Sequence, residues 1–298
     1  IDIYVANDKD MNLLFINNGR GRFTENALAR GVGFNGNGLA EAGMGVDIGD
    51  INRDGWLDIY VTNYSGETNT LYLNQREGVF VDATNQFGLG NPSIHLLAFG
   101  AKFIDLNLDG WLDIFVSNGH VIDNINLFNS AYQHSQSNQI YMNQRNGRFI
   151  DKSINIGGDL LHKAVSRGAA SADLDNDGDI DIIVSNNNGK ATLLINNGIP
   201  LNNWIGFLLE GNTSNRQGIG SKIIIQTGLD YQVAWVNTAG SYLNSNDHRV
   251  VFGIEQDKIV DRLEVYWPGQ SKQSFSKLAA NKYYKIVESG KITEINYE

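Results

Sequence analysis

Short apolar runs recur along the first two thirds of the chain, and each closes on Asn. Ile59-Tyr-Val-Thr-Asn63, Ile114-Phe-Val-Ser-Asn118 and Ile182-Ile-Val-Ser-Asn186 form one set, and Ile3-Tyr-Val-Ala-Asn7 opens the chain in the same way. Their β-branched and aromatic content predicts strands. A second set follows: Leu14-Phe-Ile-Asn17, Leu71-Tyr-Leu-Asn74, Ile140-Tyr-Met-Asn143 and Leu193-Leu-Ile-Asn196. After the first three of these, a Gly-containing turn leads to Phe23, Phe80 and Phe149. Asn/Gly turns between short strands are hairpin chemistry. Gly/Ala-rich strands lie upstream, at Ala42–Val46, Phe99–Phe103 and Arg167–Ser171. Each unit therefore reads as four strands, the content of one propeller blade.

The polar stretch between the first two strands of each unit carries the chemistry. Asp50-Ile-Asn52-Arg-Asp54-Gly55-Trp56-Leu-Asp58, Asp105-Leu-Asn107-Leu-Asp109-Gly110-Trp111-Leu-Asp113 and Asp173-Leu-Asp175-Asn-Asp177-Gly178-Asp179-Ile-Asp181 share the frame D-x-[DN]-x-D-G-x-x-D. Oxygen side chains at alternate positions, then a Gly for a sharp turn, describe a loop around a hard cation such as Ca²⁺. An EF-hand is excluded, because it needs a Glu at position twelve and flanking helices. Position twelve here is Val61, Val116 and Val184, inside a strand pattern. The predicted ligands are Asp50, Asn52, Asp54, Asp58 and the Trp56 carbonyl; Asp105, Asn107, Asp109, Asp113 and the Trp111 carbonyl; and Asp173, Asp175, Asp177, Asp181 and the Asp179 carbonyl. The fourth carboxylate should make the third site the tightest. Without an ion the close carboxylates repel, so the role is structural. Asp2 stands where Asp58 stands, which puts a fourth loop upstream and predicts a fragment of a longer protein or a disordered N-terminal half.

The loops begin at residues 50, 105 and 173, spacings of 55 and 68 residues, in the range of propeller blades. Counting gives a partial blade at 1–30, full blades near 40–90 and 97–157, and a last one from 165. Three and a half blades do not close a ring of four to eight, so upstream sequence or the C-terminal region must complete it. Around Pro200 the repeats stop, which divides the chain into residues 1–199 and 200–298. Strands without Asp loops follow at Trp204–Glu210, Ser221–Thr227, Tyr231–Thr238, Arg249–Gly253, Arg262–Trp267 and Tyr283–Glu288. Leu263, Val265 and Trp267 alternate with Glu264 and Tyr266, the pattern of a half-buried strand in a β-sandwich-like domain.

Composition narrows the partners. A net charge of −10 argues against nucleic acid or anionic membrane, and three Ca²⁺ would bring it to about −4. No apolar run approaches the roughly 18 residues of a membrane-spanning helix, so no membrane insertion is expected. Cysteine is absent. Loops with mostly three carboxylates suit the millimolar calcium outside cells, which predicts an extracellular, cell-surface or periplasmic location.

These loops and hairpins resemble the FG-GAP/VCBS repeats of calcium-binding β-propellers, with Phe99-Gly100 and Arg167-Gly168-Ala-Ala at the namesake segment. Asn118-Gly119-His120-Val121 also matches a segment usual in such repeats. The tail resembles the ASPIC/UnbV domain through Ser214-Asn-Arg216-Gln-Gly218-Ile-Gly220, Gly240-Ser-Tyr242-Leu, Asp247-His-Arg249, Phe252-Gly253 and Trp267-Pro268-Gly269. Asn244 and the direct Pro268–Gly269 junction depart from that pattern. The resemblance implies an all-β fold of FG-GAP/VCBS-type β-propeller blades followed by a β-sandwich-like domain, in a secreted or surface protein. It implies no single activity.

The third repeat is 13 residues longer than the second, and the excess lies in Gly119–Ser137, with His120, Asp123, Asn124, Tyr132, His134 and Gln136. Long insertions in compact repeats are often binding loops, so His120, Tyr132 and His134 are candidate ligand-binding residues; the plain alternative is a surface loop with His120 capping a turn. Asp247-His248-Arg249 and Gly218-Ile-Gly220 read as turns. Trp56 and Trp111 are offered to sugar rings or a protein, although matched repeat positions favour packing between blades. The sequence shows no H-E-x-x-H or G-x-S-x-G motif. The chain reads as a calcium-stabilised binding, adhesion or assembly module for a protein or glycan partner, or as a subunit of a larger assembly. The alternative is an enzyme of natural-product assembly, as in the enediyne gene clusters where the family occurs. A buried polar cluster around His120 with a perturbed group favours the enzyme; a wet, open loop favours binding.

Overall fold

The computed structural model describes residues 1–198 and 202–297, and the chain is all-β. The predicted boundary between residues 199 and 200 lies outside the described residues. The first sheet contains β1 (Ile3–Val5), β2 (Leu13–Asn17) and β3 (Phe23–Glu25). The second contains β4 (Val46–Gly49), β5 (Asp58–Val61), β6 (Thr70–Asn74) and β7 (Phe80–Asp82). The third contains β8 (Ala98–Ile104), β9 (Asp113–Asn118), β10 (Gln139–Asn143) and β11 (Phe149–Asp151), and the fourth β12 (Ser166–Ala172), β13 (Asp181–Asn186) and β14 (Thr192–Leu194). All are antiparallel meanders. The four-strand unit holds in the second and third sheets; among the described residues the first and fourth have three strands.

In β5 and β9 the apolar runs are continuous because these strands are covered on both faces, whereas β13 leaves Ile183 exposed. Every residue of β5 and β9 is buried. Tyr60, Phe103, Ile114 and Tyr141 belong to one core shared by the second and third sheets. The Gly-rich strands β4, β8 and β12 lie side by side. Glycine is required there: a Cβ on Gly45 would lie 1.8 Å from the Phe99 carbonyl oxygen. The hydroxyl that follows the apolar triplet links sheets in two units, since Thr62 donates to the Phe99 carbonyl at 2.7 Å and Ser117 to that of Arg167, whereas Ser185 donates to Gly168 within its own sheet.

The C-terminal region contains β15 (Trp204–Glu210), β16 (Lys222–Thr227), β17 (Asp230–Trp235), β18 (Val250–Gly253), β19 (Ile259–Tyr266), β20 (Lys272–Ala279), β21 (Tyr283–Val287) and β22 (Ile292–Ile295). They form two four-stranded sheets, in orders β18-β15-β21-β22 and β17-β16-β19-β20. The core takes Ile205, Phe207 and Leu209 from one sheet and Ile223, Ile225, Leu263 and Val265 from the other. Each such buried side chain contributes about 1.5–3 kcal/mol.

Glu288, just past β21, closes this sandwich at one end. One oxygen accepts the amides of Asn212, Thr213 and Ser214, each at 2.8 Å, and the other accepts the Ser214 and Thr213 hydroxyls. The Ser214 and Thr213 donors hold its carboxyl down at about 2. A depressed pKa contributes stability that is full above the ordinary Glu value near 4.3 and drains as pH falls toward about 2. Glu288→Gln should therefore lower the urea midpoint at pH 7, and the gap from the parent should shrink by pH 3. A gap that stays constant with pH would show that the charge is not what holds the 212–214 turn.

Candidate functional site

The three Asp loops join the first and second strands of their sheets and share one geometry. Position four is left-handed (Arg53 φ 59°, Leu108 φ 56°, Asn176 φ 63°), and so is the Gly at position six (86°, 81° and 98°). Two left-handed residues in a nine-residue loop bend the chain around its own carboxylates, which explains the Gly. Asp50, Asp105 and Asp173 at position one accept the amides of Gly55, Gly110 and Gly178 at 2.8–2.9 Å. Asp58, Asp113 and Asp181 at position nine act as straps. One oxygen accepts the amide of Ile51, Leu106 or Leu174, and the other accepts that of Asn74, Asn143 or Asn196. Asp2 accepts the Asn17 amide at 2.8 Å in the same manner, which places it at position nine of its unit.

The sequence reading missed what the Asn of the third strand does. Asn143 Nδ2 donates to the Ile51 carbonyl and Asn196 Nδ2 to that of Leu106, so each ties its sheet to the loop of the preceding one. The recurrence of that Asn was the available signal.

The donor set suits a hard cation. Burial lifts the carboxyls of Asp50 to about 6, Asp58 and Asp105 to about 7 and Asp113 to about 8, with neighbouring carboxylates adding to the shift. Crowded buried carboxylates of this kind are stabilised as anions by a multivalent cation. In the third loop, single oxygens of Asp173, Asp175 and Asp177 lie within 4.8 Å of one another. Asp173 Oδ1 and Asp179 Oδ1 are buried with no hydrogen-bond partner among the described residues. The second loop differs, because Arg145 pairs with Asp109 at 3.0 Å and so neutralises one predicted ligand. Asn52 and Asn107 each donate to the position-five carboxylate. Trp111 packs as expected, under the Arg53 guanidinium at 5.2 Å. Trp56 does not: it is 41% exposed.

Asp50, Asp105 and Asp173 line a cavity of about 190 Å³ whose other wall is the C-terminal region, including Trp235 and Arg249. The Gly240–Asn246 segment runs along the innermost strands. Ser241 accepts the Val46 amide through its carbonyl and the Ala169 amide through its hydroxyl, while Asn244 donates to the Ala169 carbonyl. The corner that departs from the ASPIC/UnbV pattern is thus packed against the repeats. Asp247-His248-Arg249 is a turn, with Arg249 N donating to Asp247 Oδ1 at 3.0 Å, and its guanidinium also reaches the third loop. Gly218 and Gly220 take positive φ in the turn before β16, as expected of a turn.

The insertion lies at the opposite end of the third sheet, between β9 and β10. Its base is ordered: the His120 amide donates to the His134 carbonyl, Gln136 exchanges backbone bonds with Ala164, and the Gln136 side chain accepts the Leu97 amide. His120 is fully buried, stacked on Tyr132 at 6.3 Å and edge-on to Tyr64 at 5.3 Å. It caps a turn, as the plainer alternative held, because Nδ1 accepts the Ile122 amide at 3.0 Å. Burial lowers its pKa. His120 Nε2 and His134 Nδ1 are buried without partners among the described residues. The tip is open, and Leu127 and Phe128 are each 77% exposed.

Comparison with known proteins follows the same division. The FG-GAP-like repeat family matches residues 1–61, 50–116 and 123–184, and the ASPIC and UnbV family matches 211–293. Cartilage acidic protein 1 of Mus musculus is 26% identical over 96% of this chain and 42% of its own length. The Homo sapiens protein of that name is 26% identical over 96% and 41%, and that of Xenopus tropicalis 28% over 90% and 39%. The chain thus spans about two fifths of the length of these curated relatives. An Agrocybe aegerita lectin structure, described as recognising non-reducing terminal N-acetylglucosamine, shares 18% identity over 93% of this chain and 77% of its own, at a TM-score of 0.39. No helix among the described residues is long and apolar enough to cross a membrane. The repeat match, the loops and the C-terminal match together show that the chain belongs to the FG-GAP-like repeat family and carries an ASPIC and UnbV domain.

Proposed function

We propose that this chain is a calcium-stabilised extracellular binding module that presents the insertion to a partner protein. The carrying observation is the tip of the insertion, where Leu127 and Phe128 stand 77% exposed above an ordered base. Exposed aromatic and aliphatic side chains on a fixed platform are what an interface core uses. The three loops supply the calcium part: Asp50, Asp54 and Asp58, Asp105, Asp109 and Asp113, and Asp173, Asp175, Asp177 and Asp181 each hold one ion, with Asn52 and Asn107 and the position-seven carbonyls. Three such ions suit the millimolar calcium outside cells.

The test places a photo-crosslinking phenylalanine at position 128 and, as a control, at Leu229, which is 94% exposed in the C-terminal domain. A discrete protein adduct from position 128 on the outside of the source cells, absent from position 229, is the expected result. Adducts that are equal at both positions, or absent from position 128, would refute the protein-binding reading. An enzyme is favoured by the buried His120 with its lowered pKa. That imidazole, however, accepts the Ile122 amide at Nδ1, so in its neutral form Nε2 carries the proton and has no lone pair to act as a general base.

A further inference from the structure

Resting on the calcium reading above, we infer that the C-terminal domain is part of the calcium machinery: it docks on all three loops, and Tyr283 is a positioning residue for the third site. The contacts are regular. Position four of each loop, swung outward by its left-handed backbone, meets the C-terminal domain. Arg53 Nη2 donates to the Tyr231 carbonyl at 3.0 Å. Leu108 packs into an apolar cluster with Trp204 and Tyr283. Asn176 Oδ1 accepts the Arg249 guanidinium at 2.7 Å. None of these three is a ligand, yet each reads the shape of the loop that the ligands create.

The third loop is held most closely. Tyr283 Oη donates to Asp173 Oδ2 at 2.5 Å, the same oxygen that accepts the Gly178 amide. With Oδ2 occupied twice, the carboxylate is turned so that its buried Oδ1 has no partner among the described residues. Asp173 is also one of the three carboxylates, with Asp175 and Asp177, that bring one oxygen each within 4.8 Å of one another. In the other loops the corresponding oxygen is spent internally: Asp50 Oδ1 accepts the Asp54 amide and Asp105 Oδ1 the Asp109 amide, both at 3.0 Å. Arg249 adds a bond to the Asp173 carbonyl and lies over the Tyr283 ring at 5.0 Å. Trp204 covers Gly178 so closely that a Cβ there would fall 1.9 Å from a ring carbon. An oriented buried carboxylate oxygen binds a cation better than a mobile one. Linkage then runs both ways: calcium at the third loop favours the docked domain by the factor with which docking favours calcium.

The experiment is calcium titration calorimetry on the whole chain and on Tyr283→Phe, with hydrogen exchange of β15 and β21 measured with and without calcium. The expected result is about 10-fold weaker binding at one site, the other two unchanged, and a smaller calcium-dependent gain in protection of β15 and β21. Arg249→Lys, which keeps the charge but not the forked donors, should weaken the same site and serves if Tyr283→Phe folds poorly. Normal binding at every site in both variants would overturn the inference while leaving the calcium reading intact. Absence of calcium binding by the parent protein would overturn both.

Discussion

Removing calcium from the purified protein with excess EGTA is expected to lower its melting temperature by roughly 15 °C. An ion held at a hundredfold excess over its dissociation constant adds about 2.7 kcal/mol, so three add about 8 kcal/mol, and a chain of this size loses about 2 °C per kcal/mol. The structural cause lies at the start of β5, β9 and β13. Asp58, Asp113 and Asp181 each bind amides on two sides, so their loops cannot relax without disturbing the strands. The loss should reverse with added calcium. Magnesium should restore less, because it demands tighter octahedral geometry than these loops offer. A melting curve unmoved by EGTA would contradict the structural role given to the loops.

The second large effect is expected of Gly178→Ala. The position has φ +98°, and the added Cβ would lie 1.9–2.1 Å from atoms of the Trp204 ring. Backbone strain of about 1–3 kcal/mol and overpacking of a further 1–3 kcal/mol act together. Gly55→Ala is the control, since its φ is +86° with nothing within 4 Å of the new Cβ. It should cost only the backbone part. Urea unfolding of the two variants should therefore separate them by about 1–3 kcal/mol. Equal losses would show that the third loop is not pressed against the C-terminal domain.

What the sequence made legible is local chemistry. The cation loops appear because alternate oxygens and a sixth-position Gly are consecutive requirements of one turn, and Asp2 is placed by the strand that follows it. Six strands of the C-terminal domain are legible from apolar runs or alternation. β20 is not, because Lys272, Gln273, Ser274 and Ser276 dilute Phe275, and its order comes from pairing with β19. β22 has only Ile292 and Ile295 around a polar pair. The docking of the domain on the loops is invisible to any period, since Asp173 and Tyr283 are far apart in sequence. Leu108 was the one hint: an apolar side chain amid Asp and Gly needs cover, and it is 4% exposed. The expectation that Trp56 packs between blades failed for a related reason, because matched positions do not guarantee matched neighbours.

The most direct test of the central claim is elemental analysis of the purified protein after dialysis against millimolar calcium and removal of free ions. The account predicts three calcium ions per chain, falling to two when Asp173 and Asp177 are both changed to Asn. Less than one calcium per chain would contradict it, and the loops would then be turns held by their own amides.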